Sequence, residues 1–157
     1  RDITDSLTSE YAIKDNLQEE MLRILLKRFI ILCTRIAREK FSVSPEREKA
    51  FDMVRQFYVL VDNHFKEKKM VQDYADMLHR SPKTLSNLFT TCGLPSPLRI
   101  IHERIEAEAK RLLLYSQKSA KEITEILGFE DQATFSRFFK KMTGESVSEY
   151  RKREKRE

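Results

Sequence analysis

One pattern occurs twice in this chain. Val71 to Leu78, a short turn, then Ser81 to Phe89 and Gly93 matches Ala120 to Leu127, a turn through Gly128, then Asp131 to Phe139 and Gly144. Tyr74 and Leu78 correspond to Ile123 and Leu127 at an offset of 49 residues, whereas Leu85 and Phe89 correspond to Phe135 and Phe139 at 50, so the second turn is one residue longer. Apolar residues fall at helical spacing on both sides of each turn, and Ser81 and Asp131 are placed to cap the helix that follows. A short helix bracing a second one, whose outer face is left free, is the helix-turn-helix arrangement. One such pattern is common among helical hairpins. Two at matched positions are far more restrictive.

The rest of the chain also reads as helix. Between the copies, Pro97 to about Tyr115 forms one amphipathic helix through Leu98, Ile101, Ile105, Ala109, Leu112 and Leu113. Upstream, Asp15 to Lys40 contains no proline or glycine and carries two apolar seams. The first is Leu22, Leu25, Phe29, Leu32 and Ile36; the second is Leu26, Ile30, Cys33 and Ala37. Two seams imply two neighbours, and the first is the candidate dimerisation surface. A break follows around residues 41–44, where Ser44 and Pro45 have the cap and first-position chemistry of a new helix, about Pro45 to Phe65. That helix is expected to bury Phe51, Val54, Phe57, Tyr58, Val61 and Phe65. Residues 1–14 are polar without a sustained period and are expected to be a loose lead-in. No stretch has the period of a strand, so the fold class is all-α, with two helix-turn-helix subdomains joined by a connecting helix and preceded by a long amphipathic one.

Composition narrows the functional classes. Among 157 residues there are 3 glycines, 4 prolines and 40% hydrophobic residues, a balance that disfavours disordered and turn-rich β chains. The net charge of +5 is concentrated at the end, where eight Lys and Arg from Arg137 onward face four Glu. That leans toward an anionic partner. Cys33 and Cys92 have no paired spacing and are expected to be small buried hydrophobes in a reducing cytoplasm. His64, His79 and His102 share no ligand spacing, so no metal is expected. No glycine-rich phosphate loop and no nucleophile with a local base is present, so neither a cofactor nor catalysis is expected. The apolar runs are too short to cross a bilayer, for which roughly 20 residues are needed. The chain opens on Arg1 and not on Met, as a fragment of a longer protein would.

What the two second helices leave outside carries the functional reading. In the first copy Leu85, Leu88 and Phe89 take the inner face, leaving Lys83, Ser86 and Asn87 outward. In the second, Phe135, Phe138 and Phe139 are inner, and Gln132, Thr134, Ser136, Arg137, Lys140 and Lys141 are outer. Amides and guanidinium groups pair with base edges, Gln or Asn with adenine and Arg with guanine. Lys140 and Lys141, being point charges, suit phosphates. Thr84 and Thr134 could serve phosphates or their own helix starts, and Arg151 to Arg156 could extend the backbone contact.

With these residues in view, the segment from about Phe57 to Arg151, about 95 of 157 residues, resembles the DNA-binding domain of AraC/XylS-type bacterial transcription regulators. The most specific part is Glu122-Ile-Thr-Glu-Ile-Leu-Gly-Phe129 with Phe135-Ser-Arg-Phe-Phe-Lys-Lys141, Gly144 and Tyr150-Arg151. Gln72 to Leu78, Ser81-Pro82 and Glu108 to Leu113 are similar to the family's first motif and connecting helix. Thr124 and Val147 depart from the pattern, which usually has alanine and proline there. The resemblance implies that two motifs, about 71–93 and about 120–144, are presented to successive major-groove segments of double-stranded DNA by the connecting helix, about 97–115. It also implies that an effector-binding barrel precedes the module in family members that have a regulatory domain, ending in helices that pair two subunits. On that basis residues 1–43 are expected to be the tail of such an upstream domain and 44–157 the DNA-binding domain, with a homodimer formed through the 15–40 helix. The alternative from residue patterning is a helical dimerisation or protein-interaction module without specific DNA binding.

Overall fold

The computed structural model describes residues 3–15, 17–40 and 44–154. The chain divides into two compact units, Arg1–Arg47 and Glu48–Glu157. All regular structure among the described residues is helical.

The first unit is built on α1 (Ile3–Ala12) and α2 (Gln18–Lys40), which pack on each other. The lead-in expected at residues 1–14 is therefore corrected to a helix over most of its length. Ile3, Leu7 and Tyr11 give a single apolar residue per turn, too thin a stripe to set this segment apart from a polar lead-in, and a helix this short draws its stability from packing rather than propensity. Gln18 closes the hairpin, its side-chain amide donating to the carbonyls of Glu10 at 3.2 Å and Tyr11 at 3.0 Å at the end of α1. Along α2 the seam Leu22, Leu25, Phe29 and Leu32 is half-buried. Ile24, Leu26, Ile30, Ile31 and Ile36 are exposed. Cys33, which follows Leu26 and Ile30 along α2, is exposed like them, contrary to the expectation of burial. The expected break at residues 41–43 lies outside the described residues.

The second unit comprises α3 (Pro45–His64) from Glu48 onward, α4 (Val71–Met77), α5 (Pro82–Thr91), α6 (Pro97–Tyr115), α7 (Ala120–Ile126), α8 (Gln132–Thr143) and α9 (Val147–Glu154). The helix starts follow from local chemistry. Ser81, Ser96, Ser119 and Asp131 each accept from the backbone N–H three residues on, which satisfies donors the helix itself cannot. Ser119 with Glu122 and Ser146 with Glu149 bond reciprocally, the capping-box arrangement. At α9 this capping box opens the helix without the family's proline, and Val147 is buried. The other departure is equally well housed. Thr124 is buried, and its hydroxyl donates to Ala120 O at 2.8 Å; its counterpart in the first copy is Ala75, also buried.

The connecting helix α6 is the spine of this unit. It contacts α4, α5, α7, α8 and α9, and buries Pro97, Ile100, Ile101, Ile105, Ala109, Leu112 and Leu113. Leu98, expected on that face, is 41% exposed, and Ile100 takes its place. Around the first motif Phe57 meets Tyr74 and Phe89 edge-on at 5.5 and 5.0 Å. Around the second, Phe135 lies 5.9 Å from Phe139, which meets Tyr150 at 5.4 Å. Each such ring, fully buried, contributes about 1.5–3 kcal/mol. The core stripe of α3 is Val54, Phe57, Val61 and then Phe65. Phe51 and Tyr58, expected inside, are exposed: Phe51 stands a turn ahead of that core, and Tyr58 lies on its flank with its ring edge-on to Phe57.

Candidate nucleic-acid interface

Each motif holds its second helix by the inner side only. In α5, Leu85 and Phe89 are buried and Leu88 packs partly against the core. Lys83, Ser86 and Asn87 are exposed on the opposite side. The helix begins at Ser81, whose Oγ accepts from Thr84 N–H at 3.1 Å and lies 2.8 Å from Thr84 Oγ1. Thr84 thus supports its own helix start.

In α8, Phe135 and Phe139 are buried and Phe138 is half-buried against His102 of α6 at 5.3 Å. Burial holds the His102 imidazole below its ordinary pKa, and the Lys141 ammonium adds to that effect. Gln132, Arg137, Lys140 and Lys141 are exposed; Thr134 and Ser136 are half-buried. Asp131 organises the front of the helix. One carboxylate oxygen accepts from Thr134 N–H at 2.7 Å and the other from Thr134 Oγ1 at 3.2 Å. Arg137 Nη2 donates to the same Thr134 hydroxyl at 3.2 Å. The Thr134 N–H foremost, with its hydroxyl, the Ala133 N–H and the Arg137 charge, holds the Asp131 carboxyl below the usual range. Thr134 is therefore bound into the cap, and it steadies the guanidinium on the outer face. Lys140 and Lys141 fall in the last turn of α8, where positive charge also complements the helix dipole.

Two cations of the basic tail, Arg151 and Arg153, engage the protein itself. Arg151 donates to Lys118 O at 2.6 Å, in the segment between α6 and α7. Arg153 pairs with Glu145 at 2.9 Å and lies over the Tyr150 ring at 5.1 Å. Lys155 and Arg156 lie outside the described residues. Arg80, in the turn of the first motif, is an exposed cation not singled out from the sequence, and its guanidinium donates to His79 O at 3.1 Å. Its place directly before the Ser81 cap is the signal that could have marked it. Among the described residues there is no cluster of His, Cys, Asp or Glu able to hold a metal, and no helix long and apolar enough to cross a membrane.

Two helix-turn-helix motifs on one connecting helix, each with a polar, solvent-facing second helix, define a DNA-binding domain of the doubled kind. A family model described as a helix-turn-helix domain matches residues 74–153, about half of the chain, and the chain belongs to the AraC-type helix-turn-helix family of DNA-binding transcription regulators. It is 30% identical over 122 residues to the uncharacterized HTH-type transcriptional regulator YisR of Bacillus subtilis, covering 77% of this chain and 41% of that protein. It is 36% identical over 92 residues to the arabinose operon regulatory protein of Salmonella typhimurium, covering 59% of this chain and 31% of that one. Its fold matches the C-terminal domain of AraT, a response regulator from Geobacillus stearothermophilus, with a TM-score of 0.59 and 28% identity over 70% of this chain and 86% of that one. The DNA-binding domain of AdpA, solved in complex with a target DNA, has the same fold at a TM-score of 0.53 and 23% identity, over 65% of this chain and 88% of its own. The chain thus spans less than half the length of the curated relatives YisR and the arabinose regulator.

Proposed function

We propose that this chain is the DNA-reading part of a cytoplasmic transcription regulator, without catalysis of its own, that inserts α5 and α8 into successive major-groove segments on one side of a duplex. The observation that carries this reading is the outer face of α8. Gln132 and Arg137 stand exposed there, with Arg137 steadied by the Thr134 hydroxyl at 3.2 Å. A bidentate donor held in this way suits guanine, and the Gln132 amide suits adenine. Ser136 sits between them as a lesser contact. Lys140 and Lys141 neutralise phosphates, while Lys83, Ser86 and Asn87 of α5 read phosphates, shape and a few bases. Successive major-groove faces lie roughly 34 Å apart, so one chain reads a site of two unlike halves.

The open side of α2 supports a second element of the reading. Leu26 and Ile30 stand exposed on one flank of the half-buried Leu22, Leu25, Phe29 and Leu32, Ile24 and Ile31 on the other, and Ile36 is exposed at the end of that seam. Exposed apolar residues in this number on one helix point to an interaction surface, and a homodimer through α2 is the partner proposed, with residues 1–43 as the tail of an upstream regulatory domain. Of the seam expected to pair subunits, Leu22, Leu25, Phe29 and Leu32 are half-buried and Ile36 is exposed, so the flank of Leu26 and Ile30 is proposed to join Ile36 in that contact. Selection of duplexes from a random library, followed by titration at two salt concentrations, tests the DNA reading. A shared motif with two separated halves is the expected result; recovery of no motif, with weak binding at both salts, sinks it.

A further inference from the structure

We propose that Lys69 is a positioning residue that sets the orientation of α8 relative to α5, and through it the separation of the two half-sites accepted on DNA; the proposal rests on the DNA-reading function above. Lys69 belongs to the loop between α3 and α4, at the threshold of the first motif, yet its ammonium reaches the second. Nζ donates to Gly128 O at 2.7 Å, in the turn between α7 and α8, and to Lys66 O at 2.6 Å in its own loop. It stands 5.0 Å from the centre of the Phe129 ring. Phe129 in turn packs on Phe135 and Phe138 of α8 at 5.4 and 5.3 Å.

The same loop is gripped by the first motif. The Tyr74 hydroxyl of α4 donates to Lys68 O at 2.8 Å, and the Asp73 carboxylate accepts from Met70 N–H at 3.2 Å. Residues 68–70 are thus bonded to α4 on one side and, through Lys69, to the turn ahead of α8 on the other. A single connecting helix leaves each body it carries able to swivel about its own contact. A second attachment away from that axis removes the swivel.

The two copies differ where this attachment is made. His79 and Gly128 occupy the same position of their turns, both left-handed at φ 53° and 65°. The first turn accommodates a full side chain. At the second, a Cβ on Gly128 would collide with the Lys66 carbonyl, so the close backbone approach exists only where Lys69 crosses.

The test begins with the duplex selected by the unmodified chain. Unmodified protein, Lys69→Met and Lys69→Arg are titrated against that duplex and against versions with one or two base pairs inserted between its halves. Each inserted pair moves the far half by roughly 3.4 Å and turns it by about 35°. The unmodified chain is expected to lose about tenfold or more in affinity at the first insertion. Lys69→Met keeps an apolar stem over Phe129 but has no donor, and is expected to lose about threefold or less at that insertion relative to its own uninserted duplex. Lys69→Arg, which retains donors, should keep most of the discrimination. If Lys69→Met weakens binding by the same factor at every spacing, the lysine contributes only general stability or charge and the proposal is overturned. It is equally overturned if the unmodified chain tolerates the insertions. Failure of the unmodified chain to select any duplex overturns the DNA reading itself, a distinct result obtained at the first stage. Should Lys69→Met not fold, Lys69→Leu, which also lacks a donor, takes its place in the same titrations: tolerance of the first insertion supports the positioning role, and a uniform loss at every spacing overturns it.

Discussion

Arg137 and Asp131 meet across one hydroxyl, so the group that helps cap α8 also steadies the guanidinium on its outer face. Replacing Arg137 by alanine is expected to cost about 1–3 kcal/mol of binding to the preferred duplex and to relax preference at one base pair, measured by titration against single-base variants. The left-handed turn residue His79 offers a stability test, because an L side chain in that region costs roughly 1–2 kcal/mol. His79→Gly should therefore raise stability by about 1 kcal/mol in denaturant unfolding, after the added chain entropy of glycine is deducted. Gly128→Ala should lower it by about 2 kcal/mol or more, since strain and collision coincide there. At this scale the exposure of Gln132 and Arg137 was legible, because each lies clear of the Phe135 and Phe139 stripe. The half-burial of Ser136 was not: it sits one residue from Phe135, at the margin of the stripe, where small differences in helix rotation decide exposure.

Helix starts were the most legible elements. Ser81 and Asp131 announce themselves by residue type and position, and both accept the expected N–H bonds. The α1 helix and the exposure of Phe51 were not legible, since both depend on which neighbouring element is present and not on local period. The caps carry a pH dependence. Glu122, Asp131 and Glu149 are each held below the ordinary carboxyl range, chiefly by hydrogen bonds from Ser119 N–H, Thr134 N–H and the Ser146 hydroxyl respectively. The folded state thus favours the ionised form, and the unfolded chain takes up protons first as pH drops below about 4.5. Stability is full above that value and declines as pH falls through the lowered values. Thermal unfolding between neutral and acid pH should show this decline, and Asp131→Asn, which can still cap, should make it shallower by the share of that one carboxylate. For α2, the pair of changes Leu26→Glu and Ile30→Glu is expected to abolish concentration-dependent dimerisation in sedimentation experiments; an unchanged dimer would move the interface elsewhere.

For the whole molecule, charge and topology act together. Affinity for the selected duplex should fall steeply with salt, and Lys140→Ala should reduce the slope of log affinity against log salt by about 1 while leaving sequence preference intact. The doubled architecture was legible because the repeat is written at matched offsets. The contact of Lys69 with Gly128 was not, since it joins residues 59 apart through a main-chain carbonyl, to which no side-chain pattern points. Nor was the inward use of Arg151, which donates to Lys118 O. The placement of Phe57, Val61, Phe65 and Lys69 ahead of the first motif bears on where this domain can be cut. A fragment begun at Tyr74 would hold both groove-facing helices, yet it would expose the underside of one and release the strut to the other. Expression boundaries drawn at the first motif would thus yield a truncated protein with a raw hydrophobic flank, whereas boundaries drawn ahead of α3 keep that flank covered.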